Sequence, residues 1–301
     1  MTVVSLDTRR REKIGGSEAG DACNVGYRGR LMLWYEKVNG VEREPTEATW
    51  LGTALQARVA ELVMERDGYE IMPAPADGFT HPEHPWMVCH PDGFTAVRGA
   101  RAVAEIKTRG TGWHSDDEHE LFAYILQVQH GMEVAGCDVG LLSILHGGFG
   151  GLRLETREIV RDDALIDRMM ELEKEIVDAV RTETPPTRLG HRRDSDALRL
   201  MHPESNGRTV RRSKKWDEID LELRARKEQL ATIKAQVTEL ETEYKVLMGD
   251  AERCISPHDT REARWVTREV TRIDTTALKA ARPEIASEFA VTKPERRFTL
   301  E

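Results

Sequence analysis

The stretch from Trp86 to Arg109, WMVCHPDGFTAVRGARAVAEIKTR, constrains this chain more than any other. It reads as two short strands, the first alternating into a corner at His90-Pro91-Asp92-Gly93 and the second running from Ala102 to Thr108. Side chains alternate across a strand, so Glu105 and Lys107 share one face while Ala104 and Ile106 point to the other, which is the apolar one. An antiparallel hairpin brings Asp92 to the edge that holds Glu105. Two carboxylates and an ammonium in one small volume suit a hard divalent cation, with a charge left over to orient water or phosphate.

The flanking segments supply a scaffold for that hairpin. Residues Arg9-Arg10-Arg11 and Lys13 form a basic cluster just before Ile14-Gly15-Gly16-Ser17-Glu18, where Ser17 fits a helix N-cap. Arginines beside a helix N-terminus are suited to a phosphate, although an ordinary cap with a solvated basic arm is the first reading of such a cluster. Arg30 to Asn39 and Thr46 to Asp67 have helical periodicity, and each is closed by a glycine. In the second of these, Leu51, Leu55, Val59, Leu62 and Val63 form one stripe, and Gln56 lies one position from it. Tyr69 to Met72 and Phe79 to His81 read as short strands. After the hairpin, a loop around Gly110 to Trp113 and an acidic run lead into a helix from Glu120 to Ala135, with Tyr124 and Gln127 on one flank. Val139 to Leu145 reads as a buried strand and Leu152 to Ile159 as its partner, and Asp162 to Arg181 as an amphipathic helix ended by Pro185-Pro186. The order predicts an α+β domain, a mixed central sheet flanked by helices, over residues 1–188.

Composition changes beyond that point. His191 to Lys215 holds eight Lys/Arg against three Asp/Glu with little periodic apolar content, so 189–215 reads as a basic linker. Trp216 to Met248 carries apolar residues at spacings alternating three and four, interrupted where Arg226 takes a seam position. This is a coiled-coil pattern over about four heptads, consistent with a helical arm or an oligomer contact. The remainder of 216–301 predicts a strand from Arg264 to Ile273, a helix from Thr275 to Ala281 and a strand from Arg296 to Leu300.

Several classes are excluded or disfavoured. The four cysteines are far apart with no CxxC pair, which argues against a zinc ribbon, an iron–sulfur cluster or a disulfide framework. No apolar run approaches the roughly 18 residues that span a bilayer, and the basic first residues do not read as a secretory signal. A cytoplasmic protein with no membrane association is the expectation. A net charge of −9 argues against a DNA-coating protein, but not against a nuclease whose DNA contacts are local.

The words IGGSE, WLGTALQ, HPEHPWMVCHPDGF, AEIKT and YILQVQHGMEVAG occur in this order over residues 9 to 160. Together they resemble the YqaJ-like viral recombinases, the lambda-exonuclease branch of the PD-(D/E)xK nucleases. The resemblance implies a restriction-endonuclease-like fold and a Mg²⁺-dependent exonuclease, with Mn²⁺ able to substitute. Such an enzyme digests linear duplex DNA 5′→3′ from its ends and supplies single strands to an annealing protein in phage recombination. It implies Asp92, Glu105 and the Ile106 carbonyl as metal ligands and Lys107 as the residue that positions the attacking water. Tyr124 and Gln127 would assist, and Arg10 and Ser17 would hold the 5′-phosphate. A ring-like homo-oligomer is implied as well. One departure stands out: the family's helix word usually holds a glutamate where this chain has Gln56, a metal ligand without charge. A DNA-end-binding or assembly protein with weakened catalysis, or an endonuclease of the same fold, are the alternatives.

Overall fold

A computed structural model describes residues 11–41, 44–109, 118–148, 151–187, 189–256, 262–292 and 297–299. The chain divides into two compact units, Met1–Pro203 and Glu204–Glu301.

The first unit is built on a five-stranded sheet in the order β2 (Met72–Pro73), β5 (Gly93–Val97), β6 (Ala100–Arg109), β7 (Val139–Gly148), β8 (Gly151–Val160). All neighbouring pairs are antiparallel except β6 and β7, which run parallel. A parallel pair needs a crossover, and the helix α4 (Glu118–Ala135) is part of it. The expected mixed sheet flanked by helices is therefore present. The β5–β6 turn is Arg98-Gly99, both with positive φ (50° and 81°), the two-residue geometry that matches strand twist.

Helices cover both faces of this sheet. On one side α3 (Glu47–Asp67) places Val59 and Val63 against Ala102, Ala104, Ile106 and Leu141. On the other, α4 places Val128 and Met132 against Val103, Leu142 and Ile144. Gly140 makes the second contact possible, since a Cβ there would lie 2.3 Å from the Val128 Cγ1. A third cluster joins α2 (Arg30–Asn39) and α5 (Asp163–Arg181) to a small sheet of β1 (Ile14–Gly15), β4 (Met87–Cys89) and β3 (Phe79–Thr80).

Several expectations need correction. Met87–Cys89 is not the hairpin partner of Ala102–Thr108. It pairs with β1 and β3 in the small sheet, and Gly93–Val97 supplies the partner strand. Pro91 has no N–H to donate, so the chain leaves one sheet before entering the next. Ser17 is not an N-cap. The helix α1 (Gly16–Ala22) is capped at Gly15, whose N–H donates to Glu18 Oε2 at 3.0 Å, because β1 pairing holds Gly15 extended. The strand expected over Tyr69 to Met72 lies instead at Met72–Pro73.

Within the stretch read as a linker, Asp194–Met201 forms the helix α6 with Ala197 buried in the cluster of α2 and α5, so the first unit continues to Pro203. In the second unit, α7 (Lys214–Met248) precedes a hairpin of β9 (Arg253–Ile255) and β10 (Glu262–Arg264), then α8 (Thr275–Ala281) and α9 (Pro283–Glu288). The strand expected over Arg264 to Ile273 ends at Arg264, since β9 offers a ladder of only three residues. Of the strand expected from Arg296 to Leu300, residues 297–299 have no regular structure and its ends lie outside the described residues, as does most of the loop around Gly110 to Trp113. No helix among the described residues is long and apolar enough to cross a membrane.

Candidate active site

Strand register brings the two carboxylates together. Gly93 pairs with Ala104, so Asp92 falls opposite Glu105. Asp92 Oδ2 then accepts a hydrogen bond from the Ile106 N–H at 2.7 Å, which fixes it at the edge of the sheet. Glu105 and Lys107 face the side covered by α4, as period-two alternation requires. Lys107 Nζ donates to Glu105 Oε1 at 2.7 Å and to Gln127 Oε1 at 2.9 Å. Gln127 Nε2 donates to the same Glu105 oxygen and closes a ring of three side chains. Both bonds to Glu105 land on Oε1, which leaves Oε2 without a hydrogen bond among the described residues.

Tyr124 flanks this ring without joining it. The Lys107 ammonium lies 5.3 Å from its ring centroid, while its hydroxyl donates to Glu120 Oε1. Glu120 in turn accepts from Arg109 Nη2 at 3.0 Å. Burial and the Glu120 carboxylate raise the Tyr124 phenol above its ordinary value. Glu120 and Arg109 were not singled out from sequence. The four-residue spacing of Glu120 and Tyr124 on one helix was the available signal.

Gln56 reaches the site from the opposite helix. Its side chain hydrogen-bonds the Asp92 carboxylate. Close approach of α3 to β6 allows this: a Cβ on Gly52, one turn before Gln56, would lie 3.1 Å from Thr108 Oγ1. Asp92 is nonetheless raised above the usual carboxylate range, because burial outweighs the Ile106 N–H, Lys107 and Gln56. Glu105 is pushed up to about 7 by burial, which Asp92 reinforces and Lys107 only partly offsets.

That electrostatic deficit bears on a metal. Among the described residues no group of three or more His, Cys, Asp or Glu side chains gathers as a ligand cluster. The available donors are Asp92, Glu105, the Gln56 amide and the Ile106 carbonyl, all oxygen and therefore suited to Mg²⁺ or Mn²⁺. Two desolvated carboxylates facing one ammonium lack positive charge, and a divalent cation supplies it. The residues fit the group.

Asp92, Glu105 and Gln127 open onto a cavity of about 540 Å³, and Ser17, exposed on the first turn of α1, lies on its wall. Arg10 lies outside the described residues, and its neighbour Arg11 lines the cavity. Sequence reading missed two further basic residues there. Arg28 pairs with Glu36 at 3.0 Å and with Asp21, and Lys37 pairs with Glu18 at 2.9 Å. Both are distant in sequence from Asp92 and Glu105, and only the tertiary packing of α2 and the turn before it brings them in.

Comparison with known proteins bears on the same residues. The family model of the YqaJ-like viral recombinase domain matches residues 7–138. The uncharacterized protein YqaJ of Bacillus subtilis is 28% identical over 302 residues, covering 97% of this chain and 92% of that protein. Among solved structures, LHK-Exo in complex with dAMP aligns at 17% identity with a TM-score of 0.45, over 58% of this chain and 91% of its own. A phage related exonuclease from Haemophilus somnus aligns at 17% identity and a TM-score of 0.39, over 60% and 97%. Residues 7–138, which hold Ser17, Gln56, Asp92, Glu105, Lys107, Tyr124 and Gln127, thus bear out the resemblance of this chain to the YqaJ-like viral recombinases.

Proposed function

We propose that this chain is a divalent-metal-dependent deoxyribonuclease that digests linear duplex DNA 5′→3′ and supplies single strands to an annealing protein during phage-type recombination in a bacterial cytoplasm. The observation that carries this reading is the ring of Lys107, Glu105 and Gln127 set against Asp92. Lys107 is held by two acceptors, Glu105 and Gln127, and from there its ammonium can orient a water and stabilise charge developing on a phosphate. Gln127 fixes the rotamers of both Lys107 and Glu105. Asp92, held by the Ile106 N–H and by Gln56, presents its carboxylate on the same side. Mg²⁺ or Mn²⁺, held by Asp92, Glu105 and the Ile106 carbonyl with Gln56 as an uncharged fourth donor, would neutralise phosphate charge and acidify the attacking water. The family description supports recombination as the setting.

One observation favours a second reading. Gln56 brings no charge to Asp92, so a weakly catalytic protein that binds DNA ends fits the same geometry. An assay on linear and closed circular duplex with Mg²⁺ or Mn²⁺ separates them. Mononucleotides released from linear DNA alone, faster from a 5′-phosphorylated end, are expected. Intact linear DNA at high protein and Mn²⁺, with ends still bound, would overturn the nuclease reading, and nicked circles would indicate an endonuclease.

A further inference from the structure

The second unit contains a surface that the nuclease reading leaves unused. The helix α7 runs for 35 residues, about 50 Å, with none of them buried. Its apolar residues are not scattered. Trp216, Leu223, Leu230 and Val237 recur every seven residues, and Ile219, Ile233 and Leu240 follow three residues behind members of that series. Leu230, Ile233, Val237 and Leu240 are 50%, 55%, 48% and 65% exposed, a continuous apolar seam of the kind that marks an interface. Among the described residues no seam side chain as far as Leu240 is buried, and Leu223 alone of its apolar members is partly covered. Beyond Leu240, Tyr244 contacts Cys254 of β9, and the hairpin of β9 and β10 borders the last turns.

The charges beside the seam select the occupant and its direction. In a parallel, in-register coiled coil, each residue before the first seam position faces the residue five places on in its partner. Lys215 then meets Asp220, and Glu222 meets Lys227, each twice by symmetry. Gln229 meets Lys234 and Gln236 meets Glu241, which are neutral. No pair of like charges faces across these flanks. An antiparallel full-length pairing sets Asp220 against Glu241 and Lys227 against Lys234, both of like sign, while Lys215 and Glu222 face only glutamines. We infer that α7 is the contact through which copies of this chain assemble, as a parallel, in-register coiled coil over Trp216 to Leu240. Asp220 already receives Arg212 and Arg224 of its own chain, and its carboxylate retains capacity for a further donor. Arg226 is the one cation in the seam. It is held to Glu222 at 2.7 Å and to Gln229 at 3.1 Å, so its charge leans toward the flank. A single polar seam position of this kind lowers stability and fixes register.

The inference is independent of the nuclease reading and is tested without activity. The full chain is measured by light scattering across a concentration series. The chain carrying both Leu230→Asp and Ile233→Asp, and Ala235→Asp on the outer face as control, are measured beside it. An assembly that the seam variant reduces to monomer and the control leaves intact is expected. Because these side chains are exposed in the single chain, their replacement removes no core packing. Lys227→Glu reads direction. It weakens a parallel assembly on the order of tenfold, since two attractive pairs become repulsive, and strengthens an antiparallel one. A monomer at every concentration, an assembly indifferent to the seam variant, or one tightened by Lys227→Glu overturns the inference.

Discussion

Gln56 on α3 hydrogen-bonds the same Asp92 carboxylate that accepts the Ile106 N–H at 2.7 Å. The helix α3 and the strand β6 thus converge on one side chain. A neutral amide there steadies Asp92 but adds nothing to the negative charge that holds a cation. Gln56→Glu is therefore expected to lower the Mg²⁺ concentration for half-maximal DNA digestion by about tenfold, since hard cations follow ligand charge. Metal titration of the digestion rate checks this, and an unchanged midpoint would remove Gln56 from the ligand set.

Lys107→Ala and Asp92→Asn are each expected to reduce digestion of linear duplex by at least about a thousandfold, the scale of losing a charge placed for the transition state. Neither lies in the apolar core, so circular dichroism should show the fold retained. Gln127→Ala should cost less, because it loosens Lys107 and Glu105 without removing either. A Gln127→Ala loss equal to that of Lys107→Ala would make Gln127 a participant in its own right.

Glu105 must shed its proton to bind a cation, and burial holds it at about 7. Apparent Mn²⁺ affinity is expected to rise about tenfold per pH unit below 7 and to level off above it. Calorimetric titration at several pH values reads this slope, and a flat profile from pH 5 to 8 would contradict the assignment. Without metal the sign for stability is opposite. A carboxyl whose folded value lies above its unfolded one favours the fold fully below the unfolded value, and that contribution is lost as pH rises through about 7.

Gly140 offers a test of packing rather than chemistry. A Cβ there would sit 2.3 Å from Val128 Cγ1, on the face of β7 that α4 covers. Gly140→Ala is expected to destabilise the first unit by about 1–3 kcal/mol through overpacking. Thermal unfolding checks it. Because α4 also carries Gln127, digestion should fall with it, and a stable, fully active variant would mean that α4 shifts freely.

The side-chain pattern of β6 was legible because alternation is local: Glu105 and Lys107 on one face, Ala104 and Ile106 on the other. The helices with long stripes, such as Val59 and Val63 on α3, were legible for the same reason. What escaped depends on partners distant in sequence. Met87–Cys89 looks like a hairpin strand until Ile14–Gly15, more than seventy residues earlier, claims it in parallel. Ser17 looks like a cap until that same pairing extends Gly15 and shifts the helix start. Ala197 is a single buried residue in a basic stretch, too little to announce α6. Arg28 and Lys37 carry no local mark of the cavity they line, because only the tertiary packing of α1, α2 and the turn between them brings them there.

His130 on α4 is fully buried, with Nδ1 2.8 Å from Glu173 Oε1 on α5 and Nε2 2.9 Å from the Val88 carbonyl of β4. Burial opposes its charge, but Glu173, by charge and hydrogen bond, and the Val88 carbonyl outweigh it and raise its pKa above the ordinary 6.5. A histidine raised on folding contributes stability that is complete below its unfolded value and lost as pH rises through its folded one. The chain is therefore expected to lose thermal stability across the neutral-to-alkaline range. His130→Gln should remove that part of the slope while lowering stability at pH 6. Glu105 gives a slope of the same sign at lower pH, so the comparison is made between wild type and His130→Gln, where its contribution cancels. Parallel profiles from pH 6 to 9 would show that His130 stays neutral and bridges α4 to β4 by hydrogen bonds alone.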